Sequence, residues 1–477
     1  MSDSHTISAT DSAAGPRWRL VALMLMMVAA AHFNRISISV AGAEAIIPHK
    51  GISKTEMGLV YTAFLLFYTL AMSPGGLFID RFGPRLSLCA VGGGAAVFVT
   101  LTGIAGYLWT GASLFLSLLV IRSLMGITNA PIHPGSARLV GDWIPDGQRS
   151  LVNGLTNFAA LMGISATYLV FGALMDRYGW TGASIIVGGA TLMLTLVWAY
   201  FARNFPPLLV AKASQGSTSQ ATVPQPAPVV DADTAVKPGP GPGGALGIQH
   251  ATDPATLDED ETIPDITRGT RSGRNLLLNR SLIFLTLSYA LLGYFQYLFF
   301  YWAQFYFEDV RRMSKEDGRL YATLLTLAMG LGMVAGGWLT DWTRTRFRHR
   351  RILALVPVIG LTLAAVFLIL GLFTETPMMT LICFALAMAS AGTSEGAFWT
   401  LAVEIGGTRG GLAAGILNTG GNAGGLIAPA LTPIISELLG WKPALALAGV
   451  FCVLGAICWA WIDPGERVET KAEAGGE

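Results

Sequence analysis

The stretch His32-Phe33-Asn34-Arg35-Ile36-Ser37-Ile38-Ser39 sets an imidazole, a guanidinium and a hydroxyl on one side of a helix. His32 lies three residues before Arg35 and Ser39 four after it, the spacing of helical neighbours. Arg35 also stands sixteen positions beyond Arg19, about 24 Å along a helix. A cation that deep in an apolar run costs at least about 2.5 kcal/mol, even on insertion scales. No acid stands beside it, and a guanidinium grips a carboxylate through two parallel hydrogen bonds. Its natural partner is therefore an anion brought in from outside. The alternative is a structural ion pair with a buried acid, and Glu395, in Ser390-Ala391-Gly392-Thr393-Ser394-Glu395-Gly396, is the candidate. A buried carboxylate suits reversible protonation, or it bonds a neighbouring helix in its neutral form. Arg122 is a second cation within an apolar run. His133, followed by Pro134, is either a proton relay or a hydrogen-bonded structural side chain. Asn157, Asn418 and Asn422 are amides that face other helices, and Gly420–Gly421 and Gly424–Gly425 mark close helix packing. Cys89, Cys383, Cys452 and Cys458 lie in apolar runs without CxxC spacing and read as packing residues. No catalytic cluster emerges, so neither an enzyme nor a cofactor nor a metal is expected.

The elements that must position these groups follow from composition. Among 477 residues, 52% are hydrophobic and 13% charged, against about a quarter charged in soluble domains. The excess recurs in segments of about 20 residues, each able to cross a ~30 Å hydrocarbon layer. This excludes a soluble enzyme, a secreted disulfide scaffold and a disordered chain. The net charge of +1 excludes a nucleic-acid binder driven by bulk charge. The expected fold is an all-α membrane protein with twelve spans, at 18–41, 57–79, 86–108, 113–136, 151–175, 182–203, 281–307, 320–340, 351–373, 378–402, 410–436 and 441–462. Residues 18–203 and 281–462 then form two six-helix bundles. Residues 1–17 and 463–477 are cytoplasmic tails, the first without a cleavage-site pattern. Residues 204–280 hold Pro238-Gly239-Pro240-Gly241-Pro242 and Asp258-Glu259-Asp260-Glu261, and are expected as a disordered cytoplasmic linker. With the N-terminus inside, 21 of the 31 Lys and Arg lie on the inner side and eight on the outer. That bias places both termini in the cytoplasm of a multi-pass cell (inner) membrane protein. The loop after the seventh span runs against the bias with Arg311, Arg312, Lys315 and Arg319, offset in part by Glu308, Asp309, Glu316 and Asp317.

The two halves repeat each other. Gly76-Leu77-Phe78-Ile79-Asp80-Arg81 in the first corresponds to Gly337-Trp338-Leu339-Thr340-Asp341-Trp342 in the second. Arg149 through Gly154, then Asn157, corresponds to Arg409 through Gly415, then Asn418. Gly179–Trp180 corresponds to Gly440–Trp441, and Asn129 to Glu395. A duplicated six-helix unit is the architecture of a secondary transporter, with its site at the midplane between halves.

The turn Gly76-Leu77-Phe78-Ile79-Asp80-Arg81-Phe82-Gly83-Pro84-Arg85 resembles the signature loop of the major facilitator superfamily, between its helices 2 and 3. The resemblance covers the chain outside the tail and linker. It implies that Gly76, Asp80, Arg81, Gly83 and Arg85 form a conformational latch. Within the superfamily, several stretches are similar to the anion:cation symporters, which include sugar-acid transporters. His32-Phe33-Asn34-Arg35 is similar to that family's Tyr-x-Asp-Arg. Tyr68-Thr69-Leu70-Ala71-Met72-Ser73-Pro74-Gly75-Gly76 is similar to its Tyr-x-x-x-Gln-x-Pro-Gly-Gly. Arg122-Ser123-Leu124-Met125-Gly126-Ile127-Thr128-Asn129-Ala130-Pro131 is similar to its Arg-x-x-x-Gly-x-x-Glu-Ala-Pro. Phe398–Trp399, Asn418 and the aromatic set Tyr294, Tyr297, Tyr301 and Trp302 complete the likeness. It implies that Tyr68, Trp399 and Asn418 join Arg35 and His32 around the substrate, and that Arg122 is structural or gating. Four positions depart from the pattern: Asn34 and Asn129 replace the family's two carboxylates, Met72 its Gln and His32 its Tyr. An amide carries no titrating proton, so the family's coupling sites, Asn34 and Asn129 here, cannot work as acids.

The resulting expectation is a monomeric secondary transporter in the lipid bilayer. It moves a small organic anion, a carboxylate or sugar acid, by alternating access. Proton coupling would run through Glu395, or through His32 or His133; without it the carrier is a uniporter or exchanger. A drug-type proton antiporter would want a Gly-Pro-x-x-Gly-Gly run in the fifth span, where Gly163-Ile164-Ser165-Ala166-Thr167-Tyr168 stands. An organic-phosphate antiporter would want a second deep Arg in the seventh span, where Arg280 lies only at the edge. A scaffold needs neither Arg35 nor the Asp80–Arg81 turn.

Overall fold

The computed structural model describes residues 9–144, 146–202, 276–346, 350–407 and 410–463. The expected linker falls outside these residues from 204 to 275, and the expected C-terminal tail from 464 onward. Among the described residues the regular elements are all helical, and ten segments are long and apolar enough to cross a membrane. One of them, Val152–Phe201, is 50 residues long and is broken at Gly179 into two passes. A further pass is the kinked stretch Lys54–Leu70 continued by 72–82, which ends at Gly83. The twelve expected spans are thus present. Spans 1 to 6 run over Ala9–Ala41, 54–82, 84–108, 111–143, 146–178 and 180–201. Spans 7 to 12 run over Arg280–Phe305, Lys315–Arg346, Leu355–Leu372, 377–406, Gly410–Leu439 and Trp441–Cys458. Span 1 begins at Ala9, so residues 9–17 of the expected tail are helical.

Local sequence sets the ends. Ser53 accepts from the Glu56 amide while the Glu56 carboxylate accepts from the Ser53 amide, a capping box that starts span 2. Asn279 caps span 7 by accepting from Leu282 N at 2.8 Å. Gly83 has φ 77° and ψ 167°, a left-handed turn that favours glycine. Pro84 follows at the first helical position, where its missing N–H leaves nothing unpaired. Gly179 and Gly440 turn the same way, at φ 69° and 89°, each just before a tryptophan.

The repeat is visible in the irregularities. Span 4 is interrupted at Ala130–Pro131 and span 10 at Thr393–Ser394, so Asn129 ends one half-helix and Glu395 begins another. A π-helical turn follows span 1 at Gly42–Ile46 and another follows span 7 at Tyr306–Val310. Packing is symmetric too: span 1 lies on span 5 as 7 lies on 11, span 3 on 6 as 9 on 12, and span 2 on 4 as 8 on 10. Between the halves, span 2 packs on span 11 and span 5 on span 8. All twelve spans belong to one compact unit. Large apolar side chains such as Leu116, Val120, Leu331, Val334 and Ile359 face outward, while Asn34, Ser39, Arg122 and Glu395 are buried. This inversion of the soluble pattern is what a hydrocarbon solvent demands.

Candidate functional site

Arg35 sits at the seam between the halves, 6% exposed. Its guanidinium faces three rings, with centroids at 4.9 Å for Tyr297, 5.1 Å for Phe64 and 5.4 Å for Tyr68. Such rings stabilise a desolvated cation through their quadrupoles. Its Nη2 donates to Tyr297 Oη at 2.7 Å, and its Nε has no partner. The described ion pairs do not include it, so the expected alternative of an Arg35–Glu395 ion pair is not formed. His32, Arg35, Tyr68 and Asn129 line one cavity together with Ala31, Phe64 and Ile132. His32 Nδ1 bonds Val28 O at 2.9 Å; as that nitrogen donates, Nε2 is left as the acceptor of the neutral ring. Its ring meets His133 edge to face at 5.2 Å. Ser39 turns back to Ile36 O instead of joining Arg35.

Arg122 is fully buried and spends its donors on span 1, giving Nη2 to Arg35 O at 2.6 Å and Nη1 to Asn34 O at 3.4 Å. Its guanidinium packs 4.8 Å from the Phe64 centroid, so one ring stands against both cations. Asn34 points away from the cavity and donates to Thr191 Oγ1 on span 6 at 2.9 Å. Asn129 donates to Met125 O.

Across the seam, Tyr297 Oη donates to Asn422 Oδ1 at 3.3 Å, and Asn422 donates to Asn418 O at 2.9 Å. Asn418 is therefore one helical turn farther from Arg35 than Asn422. Glu395 accepts from Tyr289 Oη at 3.0 Å and from Gln296 Nε2. Both donors are on span 7, like Tyr297. Trp399 stands edge-on to Tyr289, centroids 6.1 Å apart, and Phe398 lies 5.1 Å from the same ring. In the turn after span 2, Arg85 Nη2 donates to Ala199 O at 2.6 Å, and Trp198 Nε1 donates to Arg85 O at 3.1 Å, tying span 3 to span 6. Arg81 is exposed beside Phe82 and Gly76 is half-buried. The side chains of Asp80 and Asp341 lie outside the described residues.

One cluster was not anticipated. Arg319, near the start of span 8, donates Nε and Nη2 to Glu44 at 2.7 and 2.6 Å. It also donates Nη2 to Asp176 Oδ1 at 2.7 Å and Nη1 to Asp176 Oδ2. Gln304 Nε2 bridges Glu44 at 2.6 Å and Glu308 at 2.7 Å. Glu44 and Asp176 belong to the first half and the other three to the second, so the cluster ties the halves at the end opposite the Gly83 turn.

Residues 23–410 and 404–477 match the family model described as the Major Facilitator Superfamily. The chain belongs to the Major Facilitator Superfamily. It is 25% identical over 463 residues to a probable sulfoacetate transporter of Cupriavidus necator, covering 97% of each chain. It is 23% identical over 476 residues to a probable galactarate/D-glucarate transporter of Bacillus subtilis, 99% of this chain and 97% of that one. To a D-galactonate transporter of Escherichia coli O6:H1 it is 25% identical over 451 residues, 93% and 94% of the two. Its fold matches the solved structure of a bacterial homolog to the human lysosomal transporter Spinster, with a TM-score of 0.69 at 16% identity, covering 94% and 96% of the two chains. It also matches that of a D-xylose–proton symporter, with a TM-score of 0.63 at 16% identity over 94% and 99%. This superfamily member is a transporter, not an enzyme.

Within the superfamily fold, sequence reasoning reached Arg35, His32, Tyr68 and Asn129, which share the cavity. It missed Tyr297 as the direct partner of Arg35 and Asn422 as the partner of Tyr297, because helical register alone does not say which face of span 7 meets span 1. It also placed Arg319 in a loop balanced by local acids. The available signal was Glu44, a lone acid within the apolar run Val40-Ala41-Gly42-Ala43-Glu44-Ala45-Ile46-Ile47.

Proposed function

We propose that this transporter moves a small organic carboxylate of the sugar-acid type, received by the Arg35 guanidinium. The observation that carries the reading is a buried cation caged by Phe64, Tyr68 and Tyr297, beside a cavity and without an acidic partner among the described residues. The relatives named for sugar acids and sulfoacetate support it. His32, Tyr68 and Asn422 supply hydrogen bonds to the rest of the substrate, with Trp399 and Asn418 behind them. The carrier acts as a monomer, because both faces of the site come from one chain. Both termini lie in the cytoplasm, on the arginine and lysine bias, so the Glu44–Arg319 cluster is at the outer end of the inner-membrane carrier. Asn34 and Asn129 hold no acid proton, and Glu395 is the carboxylate placed at the break of span 10. We assign coupling to it, with His32 and His133 as the next groups; an exchanger or uniporter is the second reading.

The test is uptake of radiolabelled D-galactonate, D-glucarate and sulfoacetate into liposomes. Arg35→Ala should abolish uptake without loss of folding, and Arg35→Lys should rescue it poorly, because an ammonium lacks the planar fork. Uptake by the Ala variant at the unmodified rate sinks the reading. If uptake ignores an imposed pH gradient, the exchanger or uniporter stands.

A further inference from the structure

The Arg35 guanidinium is already engaged, and its partner comes from the other half of the protein. Tyr297 Oη accepts from Arg35 Nη2 at 2.7 Å and donates to Asn422 Oδ1 at 3.3 Å. The ring is seated against Gly425, where an added Cβ would strike it. It also lies edge-on to Phe300 at 5.9 Å. The hydroxyl is thus held in place by span 11 and delivered to span 1.

We infer that Tyr297 is a built-in stand-in for the transported anion: its hydroxyl occupies Arg35 in the empty carrier, and the anion displaces it. The inference rests on the reading of Arg35 as the anion ligand. An unpaired charge in this cage would carry its full desolvation penalty, so the empty carrier needs a partner for it. A neutral phenol serves, but a carboxylate makes the shorter, stronger, bidentate contact, so the exchange runs in favour of the substrate. The displaced hydroxyl keeps Asn422. Because the Arg35–Tyr297 bond joins span 1 to span 7, its replacement unties the two halves at the midplane. Substrate binding thereby becomes a change in how the bundles are held, and the returning hydroxyl helps expel the anion on the far side.

Tyr297→Phe keeps the ring and removes the competitor. Binding of D-galactonate, D-glucarate and sulfoacetate to the purified protein should tighten about tenfold for whichever of the three binds, the size of one lost hydrogen bond to a charged group. In liposomes the apparent KM and the maximal rate should fall together, since release loses its replacement partner. A tyrosine with a merely structural role would lower the rate without tightening binding. Tyr297→Met, also without the hydroxyl, gives the same readout should the Phe variant fail to fold. Arg35→Ala separates the two readings. If none of the three anions binds the unmodified protein, or if binding survives Arg35→Ala, the anion reading of Arg35 falls and this inference with it. If binding is lost in Arg35→Ala but is unchanged or weaker in Tyr297→Phe, the stand-in role alone is overturned.

Discussion

On the proposed topology, replacing Arg319 with Gln should open the outer end of the carrier. The Arg319 and Glu44 side chains are 5% and 2% exposed, whereas Asp176 is 51% exposed. Breaking a buried pair by removing one partner costs about 3–5 kcal/mol. Gln304, which donates to Glu44 at 2.6 Å in the unmodified protein, is expected to keep that bond in the variant, which puts the loss near the low end, about 3 kcal/mol. At about 1.4 kcal/mol per tenfold, the open-outward population rises about a hundredfold. Glu44→Gln leaves Arg319 its Asp176 partner and should do less. Asp176→Asn removes a half-exposed pair, about 1 kcal/mol or below, and should do least. The reporter is Thr323→Cys, one turn below Arg319, where Thr323 Oγ1 donates to Ser165 O across the seam at 3.3 Å. With Cys89, Cys383, Cys452 and Cys458 replaced by Ser, the labelling rate by an impermeant maleimide from outside measures the open fraction. Equal rates in Arg319→Gln and its parent, both well folded, would refute a closing role for the cluster.

Asn422→Ala should impair uptake more than Asn418→Ala, because Asn422 meets Tyr297 and Asn418 stands behind it; kinetics of the two variants in liposomes check the order. Glu395→Gln should abolish the response of uptake to an imposed pH gradient while leaving counterflow exchange, and an undiminished gradient response moves coupling to the histidines. Phe64→Ala should lower thermal stability in detergent by about 3–5 kcal/mol, the range for emptying a buried aromatic site, with an added penalty from bringing Arg35 and Arg122 face to face. A melting curve like that of the parent protein would count against the shared ring as their spacer.

The fold was legible because hydrocarbon imposes a simple rule on sequence: spans of fixed length with backbone bonds satisfied internally. The Gly179–Trp180 and Gly440–Trp441 turns were readable from a repeated pair, since positive φ favours glycine in both halves. Arg35 was readable for a related reason, as a cost without a visible offset. Contacts across the seam were not readable. Tyr297 and Tyr301 are one turn apart on one helix, and nothing in their spacing says that the first takes Arg35 while the second stacks on Tyr61 at 4.8 Å. Arg319 misled for the opposite reason. Acids stand close to it in sequence, yet its partners are 275 and 143 residues away.

The two seams between the halves are built from different forces, and that difference bears on how the bundles part. At the seam of spans 2 and 11, Gly58 lies against the backbone of Pro429 and Ala430, and Thr62 donates to Leu426 O at 2.9 Å. Close glycine packing of this kind holds the helices mainly by non-directional contact, with the Thr62 hydrogen bond as a single uncharged directional tie. At the seam of spans 5 and 8, the guanidinium of Arg319 lies over Gly172 and reaches Glu44 and Asp176 together. Its bidentate contacts are directional and are lost as a set once the planar fork leaves its carboxylates. In an alternating-access cycle, tilting at the glycine seam is therefore expected to be gradual and release of the ionic seam to be a discrete step. On the proposed topology, the outer end is expected to open only once the ionic cluster breaks, with the glycine seam as the surface on which the halves turn.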